Sequence, residues 1–462
     1  MAAKLREGFT TGSAATGAAL AALHLLRFGH APDHVDVPLP PFEAPSAAGR
    51  SRGSASGTDA AQSTGACATT GASPLASSHY ATKNALGKTP EHLPEEAQTR
   101  ESAHPPQNLH PRGWLRLAVA ACGYGPAPEL AALAEFSDGL TPDTAQTQAA
   151  RSPGRLAHAS IRKDGGDDPD ATSGALITAT VIMEAPVRVN KEVSADVGIH
   201  LDGGPGVGRV TLPGLPVAVG EAAINPVPRQ QITFALLHAL ADALPPCPPL
   251  RVIISVPEGQ RLARQTFNPR LGIVGGISIL GTQGTVRPFS HKAWKATIQQ
   301  GLAVAAATGC RSIALTTGRR SERLLMERYP EMPQQCFIQV ADFAGFSLQA
   351  AGAGNFDTLV WGCFFGKLVK LAQGHAYTHA RHANLDMADL ARVCEQYGAR
   401  CAAQVKDCIT AAHALELLLQ DEAGTDVIRQ VAAKAATVAA NFAGRPVRLH
   451  LFHTDGRELL AL

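Results

Sequence analysis

Residues 312–340 read SIALTTGRRSERLLMERYPEMPQQCFIQV. An apolar run at 312–315 is followed by a charged stretch with helical spacing at 322–329, and then by a second apolar run at 336–340. Two short strands separated by a helix at this distance predict a βαβ unit, because parallel strands need a crossover connection between them. This stretch therefore predicts a parallel sheet covered by helices.

The same alternation extends to both sides of this unit. It predicts strands at 251–256 and 358–361, helices at 291–308, 387–397, 405–420 and 426–442, and a closing strand at 446–453. The first half differs. Hydroxyls at 10–13 precede an Ala/Leu helix that runs to residue 26, and a second helix is predicted at 230–244. Between these helices the sequence predicts strands at 35–39, 114–119, 176–183, 192–199 and 209–212. We therefore expect an α/β protein with an α+β domain at 1–245, a proline-rich boundary, and a Rossmann-like parallel α/β domain at 250–462.

Composition excludes several classes of function. The chain has 462 residues with 41 basic and 39 acidic side chains, and it lacks the basic stripe of a nucleic-acid-binding protein. No membrane span or signal-peptide core is evident, so a cytoplasmic protein is expected. Nine cysteines without a CxxC pair predict reduced thiols rather than a disulfide framework or a zinc ribbon. Segments 44–111 and 137–153, which are poor in large apolar residues, are predicted to be disordered insertions.

An acidic loop stands out at 162–172, which reads RKDGGDDPDAT. It places four aspartates within seven positions: Asp164, Asp167, Asp168 and Asp170. Glycine and proline exclude a regular helix or strand here, and the carboxylates repel one another unless cationic groups answer them. A solvated turn accounts for such a loop in general. Because the apolar strand predicted at 176–183 follows directly, the sequence favours a functional site.

Several other segments suit ligand binding, and each has a plainer explanation. Glycines in GGISILGTQG at 275–284 and hydroxyls in TTGRR at 316–320 bring backbone N–H groups to an anion, or form a turn and a helix cap. The glycines at 203–208 fit a hairpin equally well. His375, His379 and His382 share one helical face, but no partner completes a metal site. Spacing alone predicts a multi-glycine α/β enzyme with an acidic loop, and it leaves metal binding by that loop open.

Six segments, in order over nearly the whole chain, resemble the CbiD family of cobalt-precorrin-5B C(1)-methyltransferases. They are LREGFTTG at 5–12, KDGGDDPD at 163–170, GVGRVT at 206–211, INPVPR at 224–229, GISILGT at 276–282 with RPFS at 287–290, and GKLVKLA at 366–372 with Thr378 and His379. The chain departs from the family pattern at Ala14, where cysteine is usual, and at Asn384, where aspartate is expected. A mechanism that depends on that cysteine is therefore not expected.

The resemblance implies methyl transfer from S-adenosylmethionine to ring carbon C1 of cobalt-precorrin-5B, giving cobalt-precorrin-6A in anaerobic cobalamin biosynthesis. Such a displacement needs alignment of the two reactants and exclusion of water, with no protein metal. The macrocycle carries many carboxylates and should meet basic side chains, whereas the cationic donor suits carboxylates. A base is also expected, because a proton must leave the ring.

The candidate residues fall into three groups. The donor-binding residues are Thr10, Thr11, Gly12, Asp170, Gly276, Ser278, Gly281 and Thr282. The catalytic candidates are Asp164, Asp167, Asp168 and His379. The substrate-binding residues are Lys163, Arg229, Arg287, Lys367 and Lys370. A homodimer is left open, as are two other functions: a corrinoid carrier with His379 as the axial cobalt ligand, and a nucleotide-dependent enzyme, which the missing P-loop disfavours.

Overall fold

The computed structural model of the chain describes residues 5–43, 110–132, 156–184, 188–189, 192–193, 198–241 and 248–462. The predicted insertion at 137–153 lies outside the described residues. The insertion predicted at 44–111 also lies outside them, except for its last two residues, which belong to a strand.

The described elements alternate between short strands and helices. The strands are β1 Gly8–Phe9, β2 His34–Glu43, β3 His110–Ala118, β4 Ala121–Tyr124, β5 Leu156–Arg162, β6 Leu176–Met183, β7 Arg188–Val189, β8 Glu192–Val193, β9 Ile199–Gly203, β10 Gly206–Val207, β11 Arg209–Val210, β12 Leu250–Ser255, β13 Ile273–Val274, β14 Gly276–Ile277, β15 Thr285–Val286, β16 Ser312–Thr316, β17 Phe337–Gln339, β18 Thr358–Phe364, β19 Arg448–Phe452 and β20 Glu458–Ala461. The helices are α1 Thr11–Phe28, α2 Pro128–Ala131, α3 Pro226–Leu240, α4 Gly259–Ala263, α5 His291–Ala307, α6 Arg319–Arg328, α7 Ala344–Gly352, α8 Phe365–Ala372, α9 Met387–Gln396, α10 Ala402–Lys406, α11 Ala411–Gln420 and α12 Gly424–Ala443, with 3-10 turns at Asn268–Leu271 and Gln334–Cys336.

A five-stranded sheet in the order β4-β5-β6-β12-β9 forms the centre of the first half. Its neighbouring strands are antiparallel except for the parallel pair β12 and β9. Helix α1 packs against β5 and β6 with the fully buried Ala14, Ala15 and Ala18, whose small side chains allow a close approach to the sheet. Thr10 caps α1 by accepting the Ser13 N–H at 3.1 Å, which confirms the helix start predicted from the hydroxyls.

The second sheet has the strand order β17-β16-β18-β19-β20. Its first four strands are parallel and β20 is antiparallel. Residues 312–340 form β16, α6 and β17, so the predicted βαβ unit and the α/β fold class are confirmed. The chain leaves β16 for β17 on one side and returns to β18 on the other, and such a change of direction opens a crevice at the carboxyl ends of the strands.

Strand pairing changes later in the chain than the boundary predicted at 245–250. β12 lies inside the first sheet, and β13, β14 and β15 pair with β11, β10 and β1. Of the proline-rich segment, the described Pro248 and Pro249 lead directly into β12 of the first sheet. We propose that the first domain extends to β15 and that the second begins with α5. The strand predicted at 192–199 is represented by β8 and the first residue of β9, and 194–197 lie outside the described residues.

One cysteine pair corrects the expectation of reduced thiols throughout. Cys310 and Cys336 form a disulfide with their Cα atoms 6.1 Å apart. Each precedes a strand, and the parallel pairing of β16 with β17 brings these two strand entries together. The linear spacing of 26 residues gave no sign of this pairing. Among the helices of the described ranges, none has the length and apolar character needed to cross a membrane.

Candidate active site

A cavity of about 210 Å³, here called the central cavity, lies between the start of α1, the acidic loop, residues 276–286 and helix α5. Its polar lining consists of Thr10, Thr11, Lys163, Asp170, Thr172, Asn225, Thr266, Asn268, Ser278, Thr297 and Gln300. Its apolar lining includes Val210, Val217, Leu271, Ile273 and Ile277. An apolar enclosure with a few convergent polar groups is the usual form of a small-molecule site.

Two of the predicted donor-binding segments form one wall of this cavity. The Thr11 hydroxyl accepts the Leu280 N–H at 2.8 Å, and the Gly12 N–H donates to the Leu280 carbonyl at 3.0 Å. Gly281 adopts a φ of +139°, and a Cβ there would lie 2.5 Å from the Thr10 side chain. Only glycine allows the two backbones to approach this closely. The start of α1 and residues 276–282 are thus positioned together, although the bonded residues Thr11 and Leu280 are 269 positions apart in sequence.

Lys163 and Asp170 form a buried ion pair in the cavity wall. The Lys163 Nζ lies 2.6 Å from Asp170 Oδ2, and the lysine side chain is only 1% exposed. Asp170 Oδ1 also accepts the Thr172 N–H at 2.7 Å and the Thr172 hydroxyl at 2.6 Å. Burial raises the pKa of Asp170, but the charge and hydrogen bond of Lys163 together with the two Thr172 donors outweigh it, so the pKa lies below its usual value. Asp170 is therefore a carboxylate at neutral pH and a weak proton acceptor.

The other three aspartates of the acidic loop bind neighbouring parts of the chain. Asp164 forms an ion pair with the Arg6 guanidinium and accepts the Gly166 N–H at 2.9 Å. These bonds, that with Arg6 foremost, lower the pKa of Asp164. Asp167 Oδ2 accepts the Arg6 backbone N–H at 2.6 Å. For Asp164 and Asp167, the groups that offset the repulsion thus come mainly from Arg6 in the N-terminal segment.

Asp168 connects the acidic loop to the start of α5. Its Oδ1 accepts the Phe289 N–H at 2.9 Å. Phe289 has a φ of +57°, which is unfavourable for a non-glycine residue, and its side chain is 62% exposed. Ser290 follows and caps α5 by accepting the Ala293 N–H. Asp168 therefore stabilises the turn that leads into the helix on the far wall of the cavity.

The residues predicted to bind substrate lie in separate places. Arg229 donates to the Ile224 carbonyl at 2.8 Å, and the exposed Arg287 pairs with Glu7 at 3.3 Å. Lys367 and Lys370 lie in the second half on α8, and Lys163 in the cavity wall. The structure therefore places Lys163 beside the predicted donor-binding residues, whereas the other four cations do not line the cavity.

His379 lies in the second half, beside Tyr377, with their ring centroids 6.0 Å apart. Its Nδ1 accepts the Arg381 N–H at 3.2 Å. Within the described ranges, the side chain of His379 contacts Arg381, Tyr377 and His382, and none of these residues belongs to the acidic loop. In the same part of the chain, no group of three or more histidine, cysteine or acidic side chains is arranged to hold a metal ion.

Sequence reasoning missed several residues that line the cavity. The Asn268 side chain donates to the Gly276 carbonyl at 3.0 Å and accepts the Ser278 hydroxyl at 3.3 Å. Thr297 and Gln300 contribute from α5. Asn225 carried a signal, since it precedes Pro226 at the start of a helix, but the other three stand in no recognisable motif.

The two sheets and the central cavity, lined by both apolar and polar side chains, define an α/β protein with a candidate small-molecule site. The CbiD family model matches residues 1–48 and 137–288, and the model of the CbiD C-terminal domain matches residues 377–461. The chain belongs to the CbiD family.

Two relatives with high sequence identity to this chain are both named cobalt-precorrin-5B C(1)-methyltransferase. A cobalt-precorrin-5B C(1)-methyltransferase of Nitratidesulfovibrio vulgaris is 54% identical over 304 residues, which is 65% of this chain and 76% of the relative. One from Geobacillus thermodenitrificans is 44% identical over 311 residues, covering 66% and 80%. The crystal structure of a cobalamin biosynthesis protein (cbiD) from Archaeoglobus fulgidus aligns with 79% of this chain and 78% of its own, at 20% identity and a TM-score of 0.31.

Proposed function

We propose that this chain transfers a methyl group from S-adenosylmethionine to C1 of cobalt-precorrin-5B, giving cobalt-precorrin-6A. Relatives named for this reaction are 54% and 44% identical to it over about two thirds of its length. The observation that carries the proposal is the central cavity, to which segments near both ends of the first half each contribute polar groups. The buried ion pair of Lys163 and Asp170 carries a desolvation cost, and it presents a cation and an anion together at the cavity wall.

The donor fits the chemistry of this cavity. Its amino-acid end carries an ammonium and a carboxylate, which complement Asp170 and Lys163 respectively. The hydroxyls of Thr10, Thr11 and Ser278 suit the ribose. Lys163 was expected to bind the substrate, but a ligand that reaches Asp170 also meets Lys163, since the two charged groups are 2.6 Å apart. We therefore assign both residues to the donor.

The protein's own part in the reaction is alignment and exclusion of water. When bound, S-adenosylmethionine supplies an electrophilic methyl group on a sulfonium. Apolar side chains such as Leu271, Ile273 and Ile277 keep water from the cavity and so favour carbon as the only nucleophile. Asp164, Asp167 and Asp168 act as positioning residues, because their oxygens hold Arg6 and Phe289.

The central experiment incubates the enzyme with methyl-labelled S-adenosylmethionine and cobalt-precorrin-5B. Label in the macrocycle supports a methyltransferase. Stoichiometric binding of the macrocycle without label supports a corrinoid carrier instead and contradicts the proposal.

The donor assignment is tested separately with Asp170→Asn. We expect about a tenfold loss of affinity for S-adenosylhomocysteine, measured by calorimetry, because a charge-assisted contact with the ligand ammonium is removed. The matched control is Asp407→Asn, which neutralises an exposed aspartate in the second half. Equal affinity in both variants would contradict the assignment.

A further inference from the structure

A second concavity, here called the distal groove, lies on the second half beside α5 and the start of α7. It is open, has a volume of about 600 Å³, and is formed in part by the segment that follows the carboxyl end of β17. Ligands of parallel α/β sheets bind at this end of the strands. Among the described residues, none from the acidic loop lines this groove.

The lining of the distal groove is aromatic and cationic. It includes Phe343, Phe346, Tyr377, His291 and Lys295. The His291 Nε2 lies 3.0 Å from the Tyr377 hydroxyl, and the Lys295 Nζ lies 5.0 Å from the centre of the Phe346 ring. Among the described residues that line the groove, none carries a carboxylate. This composition suits a ligand that has an apolar body and anionic substituents.

Two of the predicted substrate-binding lysines support the groove from behind. Lys367 pairs with Asp342, and its Nζ donates to the Thr378 hydroxyl at 3.1 Å. Lys370 donates to the Thr378 carbonyl at 3.0 Å. Because Thr378 is adjacent to Tyr377, both lysines fix one wall of the groove. They are positioning residues for it.

Helix α5 separates the distal groove from the central cavity. His291 and Lys295 line the groove, whereas Thr297 and Gln300 line the cavity. At about 100° per residue, His291 and Gln300 lie on opposite sides of the helix, whose diameter is roughly 10 Å. A ligand that contacts both concavities must therefore be wider than this helix.

We infer that the distal groove binds peripheral carboxylates of the tetrapyrrole substrate while the carbon to be methylated lies at the central cavity. This inference rests on the proposed function. A macrocycle with acidic side chains has the width, the apolar body and the negative charge that the two concavities require. Lys295 and His291 then contribute binding energy far from the reacting carbon, which aligns the ring.

The test uses Lys295→Glu, with Lys292→Glu as the matched control. Both lysines are exposed on α5, and Lys292 does not line the groove. The probe is cobyrinic acid, a stable cobalt corrin whose peripheral chains end in free carboxylates, titrated by its visible absorbance. We expect Lys295→Glu to weaken its binding at least about tenfold relative to Lys292→Glu, because an attractive charge becomes repulsive. Cobyric acid, the amidated counterpart, should distinguish the two variants far less.

Two results would overturn the inference: equal affinity of both variants for cobyrinic acid, or no binding of cobyrinic acid by the unaltered protein. A parallel titration with S-adenosylhomocysteine should give the same affinity in both variants. The labelled methyl group could fail to reach the macrocycle while Lys295→Glu still weakens the binding of cobyrinic acid. The proposed function then fails, but the assignment of carboxylate binding to the distal groove stands. His291→Gln provides a second variant, with a smaller loss expected in the same direction.

Discussion

The central cavity and the distal groove handle charge in opposite ways. In the cavity wall, Lys163 is almost fully buried and is matched by Asp170. In the groove, Lys295 is exposed and no carboxylate shares the described lining. The first arrangement fixes charges in place before a ligand arrives, at a desolvation cost that folding must offset. The second leaves the Lys295 ammonium hydrated and available, so it tolerates change but holds a ligand less rigidly.

Breaking the buried pair should give the largest effect on stability. Lys163→Met leaves the Asp170 carboxylate buried without its cation, and we expect the free energy of unfolding to fall by about 3 kcal/mol. Denaturant titration measures this loss.

The double variant Lys163→Met with Asp170→Asn provides the control, since it removes both charges. It should recover part of the lost stability but not the affinity for S-adenosylhomocysteine. If the single and double variants are equally stable, the ion pair is not the source of the effect. Lys295→Met in the groove should change the free energy of unfolding by less than about 0.5 kcal/mol, as exposed substitutions usually do.

The backbone of the acidic loop should give the next effect. Gly166 has a φ of +65°, and a Cβ there would lie 2.3 Å from the Arg6 carbonyl oxygen. We expect Gly166→Ala to destabilise the protein by about 2 kcal/mol, because left-handed strain and a backbone clash add together. Gly174→Ala is the matched control, since Gly174 also has a positive φ, +82°, but open space around it. It should cost about 1 kcal/mol, from strain alone. Similar thermal midpoints for the two variants would show that the Arg6 backbone moves away from the added Cβ at little energetic cost.

Local sequence predicts the βαβ unit and the acidic loop, but it does not predict the distal groove or the long-range contacts. The spacing within 312–340 was sufficient for the βαβ unit, since crossover connections follow regular rules. The acidic loop was conspicuous because four like charges in seven positions demand an explanation. Lys295 gave no signal, because a lysine on an amphipathic helix is normally a solvated side chain. The disulfide between Cys310 and Cys336 and the bond from Phe289 to Asp168 join residues that only the tertiary fold brings together.

The smallest expected effect is on the pH dependence of stability, which should have opposite signs in the two halves of the chain. Hydrogen bonds with Glu416 and Asp455 raise the pKa of His453, just beyond β19, whereas the pKa of Asp170 is lowered. The stabilisation from His453 is thus complete below its usual pKa of about 6.5, and it is lost as pH rises through the higher pKa of the folded state. The stabilisation from Asp170 has the opposite dependence, because it is lost only as pH falls through a folded-state pKa that lies below the usual value of an aspartate. Since Glu416 and Asp455 are both about half exposed, His453→Gln should remove about 0.5 kcal/mol at pH 6 and much less at pH 9. Denaturant midpoints of both proteins at the two pH values measure this difference, and an equal loss at pH 6 and pH 9 would show that packing, rather than the imidazolium charge, is what His453 contributes.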